Sequence, residues 1–144
     1  MDFSEMVGTD IGVGEWYTVE QDRIDAFATA TDDHQWIHQA GEQADNGPFG
    51  GPIAHGFLTL SLLTPLTWDL NAKLVEGAVM VINYGLDKVR FITPVPAGSR
   101  IRAHVKLVEA KDVTNGTQLK TEVTVEVEGS EKPAAVVEQL IRVY

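Results

Sequence analysis

Two short stretches of this sequence carry side chains able to do acid/base chemistry. The first, Thr31-Asp32-Asp33-His34-Gln35-Trp36-Ile37-His38, sets a carboxylate and an imidazole five residues apart in a polar segment. The second, Ile53-Ala54-His55-Gly56, follows the glycine-rich run Gly47-Pro48-Phe49-Gly50-Gly51-Pro52 and leads into the most apolar segment of the chain. A carboxylate and a neutral imidazole can hold one water between them, the imidazole accepting its proton while the carboxylate orients it. A helix beginning at Gly56 would add unpaired backbone N–H groups and the positive end of its dipole, a place to hold a developing oxyanion. On spacing alone plainer readings are ahead: Asp32 or Asp33 caps the following turn, His38 is a satisfied core imidazole, and Gly56 permits close packing. A metal reading is open too. His34 and His38 are four apart, Asp33 is adjacent and His55 lies downstream, although the glutamate and third-ligand spacing of zinc helices are missing.

The elements that must position these groups follow from periodicity. After a loose glycine-rich start, Gly14 to Val19 has the content of a short strand, and Thr18-Val19-Glu20-Gln21 fits a capping box. The helix that follows carries Ile24, Phe27 and Ala28 on one face and ends near Ala30. Gln39 to Asn46 suits one or two helical turns, stopped at Gly47-Pro48, with a tight loop over Phe49 to Pro52. Phe57 to Trp68 is apolar nearly all round, which predicts a helix buried on most sides, kinked or restarted at Pro65.

Beyond Lys73 the period becomes two. Val79 to Tyr84 and Leu86 to Ile92 read as one interrupted strand with Gly85 as a bulge. Ile101, Ala103, Val105 and Leu107 face one way in the next strand, and Leu119, Thr121, Val123, Val125 and Val127 do so in the one after it. Asn115-Gly116 between them is a hairpin signal, and Ala134 to Val143 makes a last strand. One buried helix before a run of long antiparallel strands predicts an α+β fold, residues 1–144 as a single domain, with the sheet wrapped around a long central helix. The free edges of such a sheet are best managed by pairing two copies, so a homodimer is expected.

Composition removes several function classes. With 21 acidic against 11 basic residues and a net charge of −10, the chain lacks the positive face of a nucleic-acid binder. There is no cysteine, hence no disulfide, thiol nucleophile or thiolate metal site. The N-terminus shows no basic and apolar leader, and no stretch approaches the ~20 apolar residues of a membrane span. The expectation is a soluble, cytoplasmic protein with no membrane or nucleic-acid partner. No Gly-x-Ser-x-Gly elbow, Walker loop or dinucleotide fingerprint occurs.

Taken together, the Thr31 to His38 loop and the Gly47 to Phe57 stretch resemble the MaoC-like dehydratase family, the (R)-specific enoyl-CoA hydratases of hotdog fold, and in particular its nodulation-protein-N-like branch. Asn83-Tyr84-Gly85, Val89-Arg90-Phe91 and Pro94-Val95-Pro96-Ala97-Gly98-Ser99 are similar to that branch as well. On the family pattern Gly-Asp-x-Asn-Pro-x-His, Asp33 and His38 fall on the aspartate and histidine, while Asp32, Gln35 and Trp36 replace glycine, asparagine and proline.

The resemblance implies a hotdog fold, two subunits joining their sheets, and reversible hydration of trans-2-enoyl-CoA to (R)-3-hydroxyacyl-CoA. It implies that Asp33 and His38 activate water and that the Gly56 N–H holds the oxyanion, with Gln35, Ser61 and Thr64 in support. Ala54, His55, Phe57, Asn83, Tyr84 and Arg90 are the expected substrate contacts, in a tunnel between helix and sheet. Lys88, Arg90, Arg100 and Arg102 are candidates for the coenzyme A phosphates. The coenzyme A thioester is substrate, and no separate cofactor and no metal are expected. The alternatives are a 3-hydroxyacyl-acyl-carrier-protein dehydratase, a non-catalytic acyl-thioester-binding hotdog module, and a thioesterase.

Overall fold

The computed structural model describes residues 2–144. In chain order its elements are β1 (Asp10–Val13), β2 (Tyr17–Thr18), α1 (Gln21–Thr31), a turn of 3-10 helix (Trp36–His38), α2 (Glu42–Asp45), α3 (Gly56–Ser61), α4 (Leu63–Asn71), β3 (Val81–Phe91), β4 (Arg100–Val113), β5 (Gly116–Val127) and β6 (Ala135–Val143).

Alternation of apolar and polar residues builds the centre of the sheet. Ile101, Ala103, Val105 and Leu107 of β4 are buried, as are Leu119, Thr121, Val123, Val125 and Val127 of β5. The turn between these strands holds Asn115 at φ 63°, a left-handed conformation that asparagine tolerates. The sheet is antiparallel with order β1-β4-β5-β6-β3, and β2 adds to β4. Leu58, Leu62, Leu63 and Leu66 of the helices join Ile101, Ala103, Val123, Val125 and Val137 in one core, with Ile24 of α1. This is the sheet around a central helix that the hotdog resemblance implies.

Several local expectations change. The loose start contains β1, and the predicted strand over Gly14 to Val19 shrinks to β2. Backbone pairing with β4, which side-chain pattern does not reveal, decides both. The capping box does not form. Thr18 is held in β2 opposite Arg100, the helix starts with Glu20 as its N-cap, and the Gln21 side chain goes elsewhere.

The central helix breaks at Leu62, one turn before Pro65, as an interior proline dictates: Pro65 has no N–H to return to the Ser61 carbonyl. The bulge expected at Gly85 falls on its neighbour. Tyr84 is left unpaired between Asn83↔Ile141 and Gly85↔Leu140, and a second shift follows between Leu86 and Lys88.

Burial of the central helix on most sides is not reached within one chain. Phe57 and Trp68 are 68% and 70% exposed, because the sheet covers only one side of the helix pair. Edge strand β3 is likewise open on its outer side, with Val81, Ile82, Tyr84, Leu86 and Phe91 exposed. No helix among the described residues is long and apolar enough to cross a membrane.

Leu119 is fully buried in a second cluster with Phe3, Leu74, Leu107, Ile141 and Val143. Leu119→Ala is expected to cost about 2–5 kcal/mol of stability, read as a lower urea midpoint at unchanged slope. An unchanged midpoint would show that this cluster is not a stabilising part of the core.

Candidate active site

The site begins where α1 ends. Asp32 takes φ 57°, the left-handed conformation that glycine adopts freely and aspartate only occasionally. It stands where the family pattern has glycine, the residue for which this conformation is least costly. The Asp33 N–H then closes the helix end on the Ala28 carbonyl at 3.0 Å. Asp33 Oδ1 accepts from the Gln35 backbone N–H at 3.4 Å, so the main chain of Gln35, rather than its exposed side chain, touches the carboxylate.

A turn later His38 is buried. Its Nδ1 meets the Ile53 carbonyl at 2.7 Å. A carbonyl only accepts, so Nδ1 carries the proton and Nε2 keeps a lone pair when the ring is neutral. Two further bonds hold this segment: the Ile53 N–H donates to the Ile37 carbonyl at 2.9 Å, and the Gln21 amide donates to the His38 carbonyl at 2.9 Å. Trp36 braces the loop from outside, so close to Gly47 that a Cβ there would come within 2.9 Å of its ring.

One titratable atom from each of Asp33, His38 and His55 lies within 4.8 Å of the others. His55 was expected to touch substrate, but it is buried at 3% exposure with its ring stacked on His38 and its Nε2–H donating to the Asp33 carbonyl at 3.1 Å. Its burial by Phe27, from the apolar face of α1, explains the difference. His34 is exposed and outside this cluster, so the His34/His38 pair of the metal reading does not come together.

Next in the chain, Gly56 opens α3. The His55 carbonyl receives the N–H groups of Leu58 and Thr59, which leaves the N–H groups of Gly56 and Phe57 outside the helix ladder. Phe91 of β3 packs on Gly56 so closely that a Cβ would fall 2.9–3.1 Å from its ring atoms. Beside them is a cavity of about 230 Å³ lined by Gly56, Thr59, Phe91, Pro94, Val95 and Ala134. Ala54, an expected substrate contact, also lines this cavity, its N–H held by the Val95 carbonyl at 2.8 Å. Phe57 projects outward, edge-on to Phe91.

The remaining candidates form a separate group. Ser61 and Thr64, expected to offer a hydroxyl to Asp33, lie further along the helix beside β3. The Ser61 hydroxyl donates to the Phe57 carbonyl at 2.8 Å, and both residues line grooves that they share with Asn83. Asn83 accepts from the Gln139 amide at 3.1 Å, and Tyr84 lies under the Arg142 guanidinium. Arg90 is exposed and folds its Nη1 back onto the Val89 carbonyl. Gln21, Phe27 and Phe91 were missed as site residues. Gln21 was hidden by its place in an apparent cap, and nothing in the sequence marks a ring that will cover Gly56.

The MaoC like domain model matches residues 2–130. The chain is 50% identical over 142 residues to 3-hydroxyacyl-thioester dehydratase Z of Mycobacterium tuberculosis, covering 98% of this chain and 93% of that protein. It is 48% identical over 136 residues to nodulation protein N of Rhizobium leguminosarum bv. viciae, covering 92% and 83%. Among solved structures, the (R)-hydratase from A. caviae involved in PHA biosynthesis shares the fold, with a TM-score of 0.71 and 23% identity over 92% of this chain and 96% of that one.

Gly56→Ala is expected to cost about 1–3 kcal/mol in thermal stability by driving a methyl group into Phe91. The same change in a Phe91→Ala background should cost clearly less. Equal costs would mean that the ring is not what Gly56 accommodates.

Proposed function

The chain belongs to the MaoC-like dehydratase family and is a hydro-lyase, and on that premise we propose that it adds water reversibly across the α,β double bond of a trans-2-enoyl-CoA, giving the (R)-3-hydroxyacyl-CoA. The observation behind this proposal is the His38 imidazole, held by the Ile53 carbonyl with Nε2 as a free lone pair, clustered with the Asp33 carboxylate next to an open helix start. His38 Nε2 and Asp33 bind one water and take its proton as the oxygen attacks C3. The π electrons move toward the thioester oxygen, where the Gly56 N–H and the helix dipole stabilise the charge. The proton held by the dyad then passes to C2, so one water is added in all. Run backwards, the same steps dehydrate a 3-hydroxyacyl thioester, the activity named for the mycobacterial relative.

Of the four cations expected at the coenzyme A phosphates, two are free to meet them. Arg100 and Arg102 are held by Glu128 and Glu126 and lie over Trp16, whereas Lys88 and Arg90 have no acidic partner among the described residues. Lys88 and Arg90 are therefore the proposed phosphate contacts. Metal is not part of the proposal. The His38 and His55 rings stack at 3.7 Å and 22°, and lone pairs lying in two near-parallel planes do not converge on one tetrahedral ion.

A homodimer joined along β3 completes the proposal. Eleven residues of unpaired edge, apolar side chains on both faces, and the outward Phe57 and Trp68 together support a second copy as the cover.

Hydration is measured as loss of the conjugated absorbance of short trans-2-enoyl-CoA substrates, with chiral analysis of the product. Asp33→Asn and His38→Ala are each expected to lower kcat by about 10²-fold or more, and a chelator should leave the rate unchanged. Wild type without turnover at any chain length would end the hydratase proposal, and rates untouched by both substitutions would end the dyad. In solution, Leu86→Glu should move the protein from the mass of two chains to that of one. Wild type running as a single chain at micromolar concentration would contradict the β3 dimer.

A further inference from the structure

His55 stands within the candidate site, yet neither the proton transfers nor the oxyanion contact uses it. Its ring stacks on His38 at 3.7 Å between centroids and 22° between planes, and Phe27 packs against it at 4.9 Å. The bond from its Nε2 to the Asp33 carbonyl fixes the proton on Nε2. Its Nδ1 is buried without a hydrogen-bond partner, where a bare lone pair costs less than an unpaired N–H on a charged ring. His38 has the opposite arrangement, its proton on Nδ1 toward the Ile53 carbonyl. Two stacked imidazoles thus carry opposite tautomers, each set by a backbone carbonyl.

This position needs two things at once. It needs a flat face for His38 and an N–H at the ring edge for the Asp33 main chain. Phenylalanine supplies the face alone and glutamine the donor alone, whereas a neutral histidine supplies both. We propose that His55 is a positioning residue for the hydration step, an inference that rests on the roles proposed for Asp33 and His38. It sets the plane of one group and the backbone of the other, so that both reach the same water. Because its proton is committed to the Asp33 carbonyl, the imidazolium formed on His38 faces a neutral ring rather than a second cation.

Long-range ¹H–¹⁵N correlation spectra of the wild-type protein at neutral pH read the tautomers directly. The expected result is a protonated Nε2 with a bare Nδ1 at His55, and the reverse at His38. In the hydration assay, His55→Phe is expected to lower kcat about 10²-fold with KM changed less than about two-fold, the effect of a misplacement on the order of 1 Å. His55→Gln, which keeps a donor for Asp33, should recover about ten-fold of that loss.

In a His38→Ala background the His55→Phe change should cost only about ten-fold, because the hold on the Asp33 backbone is then all that is left to lose. A purely structural role would cost the same in both backgrounds. Should His55→Phe fail to fold, the spectra and His55→Gln carry the test, with kcat of the glutamine variant expected about ten-fold below wild type at unchanged KM. Active wild type with a protonated Nδ1 at His55, or with kcat indifferent to both substitutions, overturns the role of His55 alone. Wild type without turnover overturns that role together with the hydratase reading.

Discussion

A buried imidazole N–H and a backbone carbonyl, His38 and Ile53, meet at 2.7 Å across a separation of fifteen residues in the chain. The Ile53 N–H answers with a bond to Ile37, so two rungs tie the polar loop to the segment that launches the central helix. Net, each such bond contributes only about 0.5–1.5 kcal/mol, but leaving either partner unpaired indoors costs about 1–3 kcal/mol. The loop between Gly47 and Pro52, mostly exposed and short of apolar anchors, is therefore held at its ends by the penalty of opening these rungs. Everything proposed for the site requires them closed: the His38 tautomer, the approach of Asp33, and the place of Gly56.

The sheet secures the same segment from the other side. The Ala54 N–H bonds to Val95, the Ala97 N–H bonds to Pro52, and Ile53 bridges to Pro96. These contacts fix where the helix begins relative to β3, and so bring Phe91 over Gly56. The apolar core makes this geometry stable without touching the chemistry, since Leu58, Leu62 and Leu66 face the sheet while the N–H groups at the helix start stay open. Packing and reactivity are carried by opposite ends and sides of one helix.

Legibility in the sequence followed the number of sides on which an element is covered. Strands β4 and β5 could be read residue by residue because one face meets the core and the other does not, and the break before Pro65 followed from a missing N–H. Strand β1 could not be read, because its place comes from main-chain pairing. The Thr18 cap failed for the same reason, its residue being held in a strand. Asp33, His38 and Gly56 were legible as a motif, but the motif says nothing of which neighbouring rings are buried. His55 was accordingly taken for a substrate contact when it stacks behind His38, and Ser61 and Thr64 were assigned to Asp33 although they lie beside Asn83. The all-round apolarity of the helix and of β3 goes beyond what one chain covers, since Phe57, Trp68 and the outer side of β3 stay exposed.

Strand order also has a bearing on how the molecule is made. Strand β3 has one neighbour, β6, and β6 is the last element in the chain. While the polypeptide leaves the ribosome, β3 has no backbone partner until the nine residues of β6 emerge. Phe91, paired with Ala135 at the start of β6, is fastened by the same event. A chain lacking β6 would keep the whole Asp33 to Gly56 segment yet leave the ring above Gly56 without its strand, so the candidate site is finished by a strand remote in sequence from its chemistry.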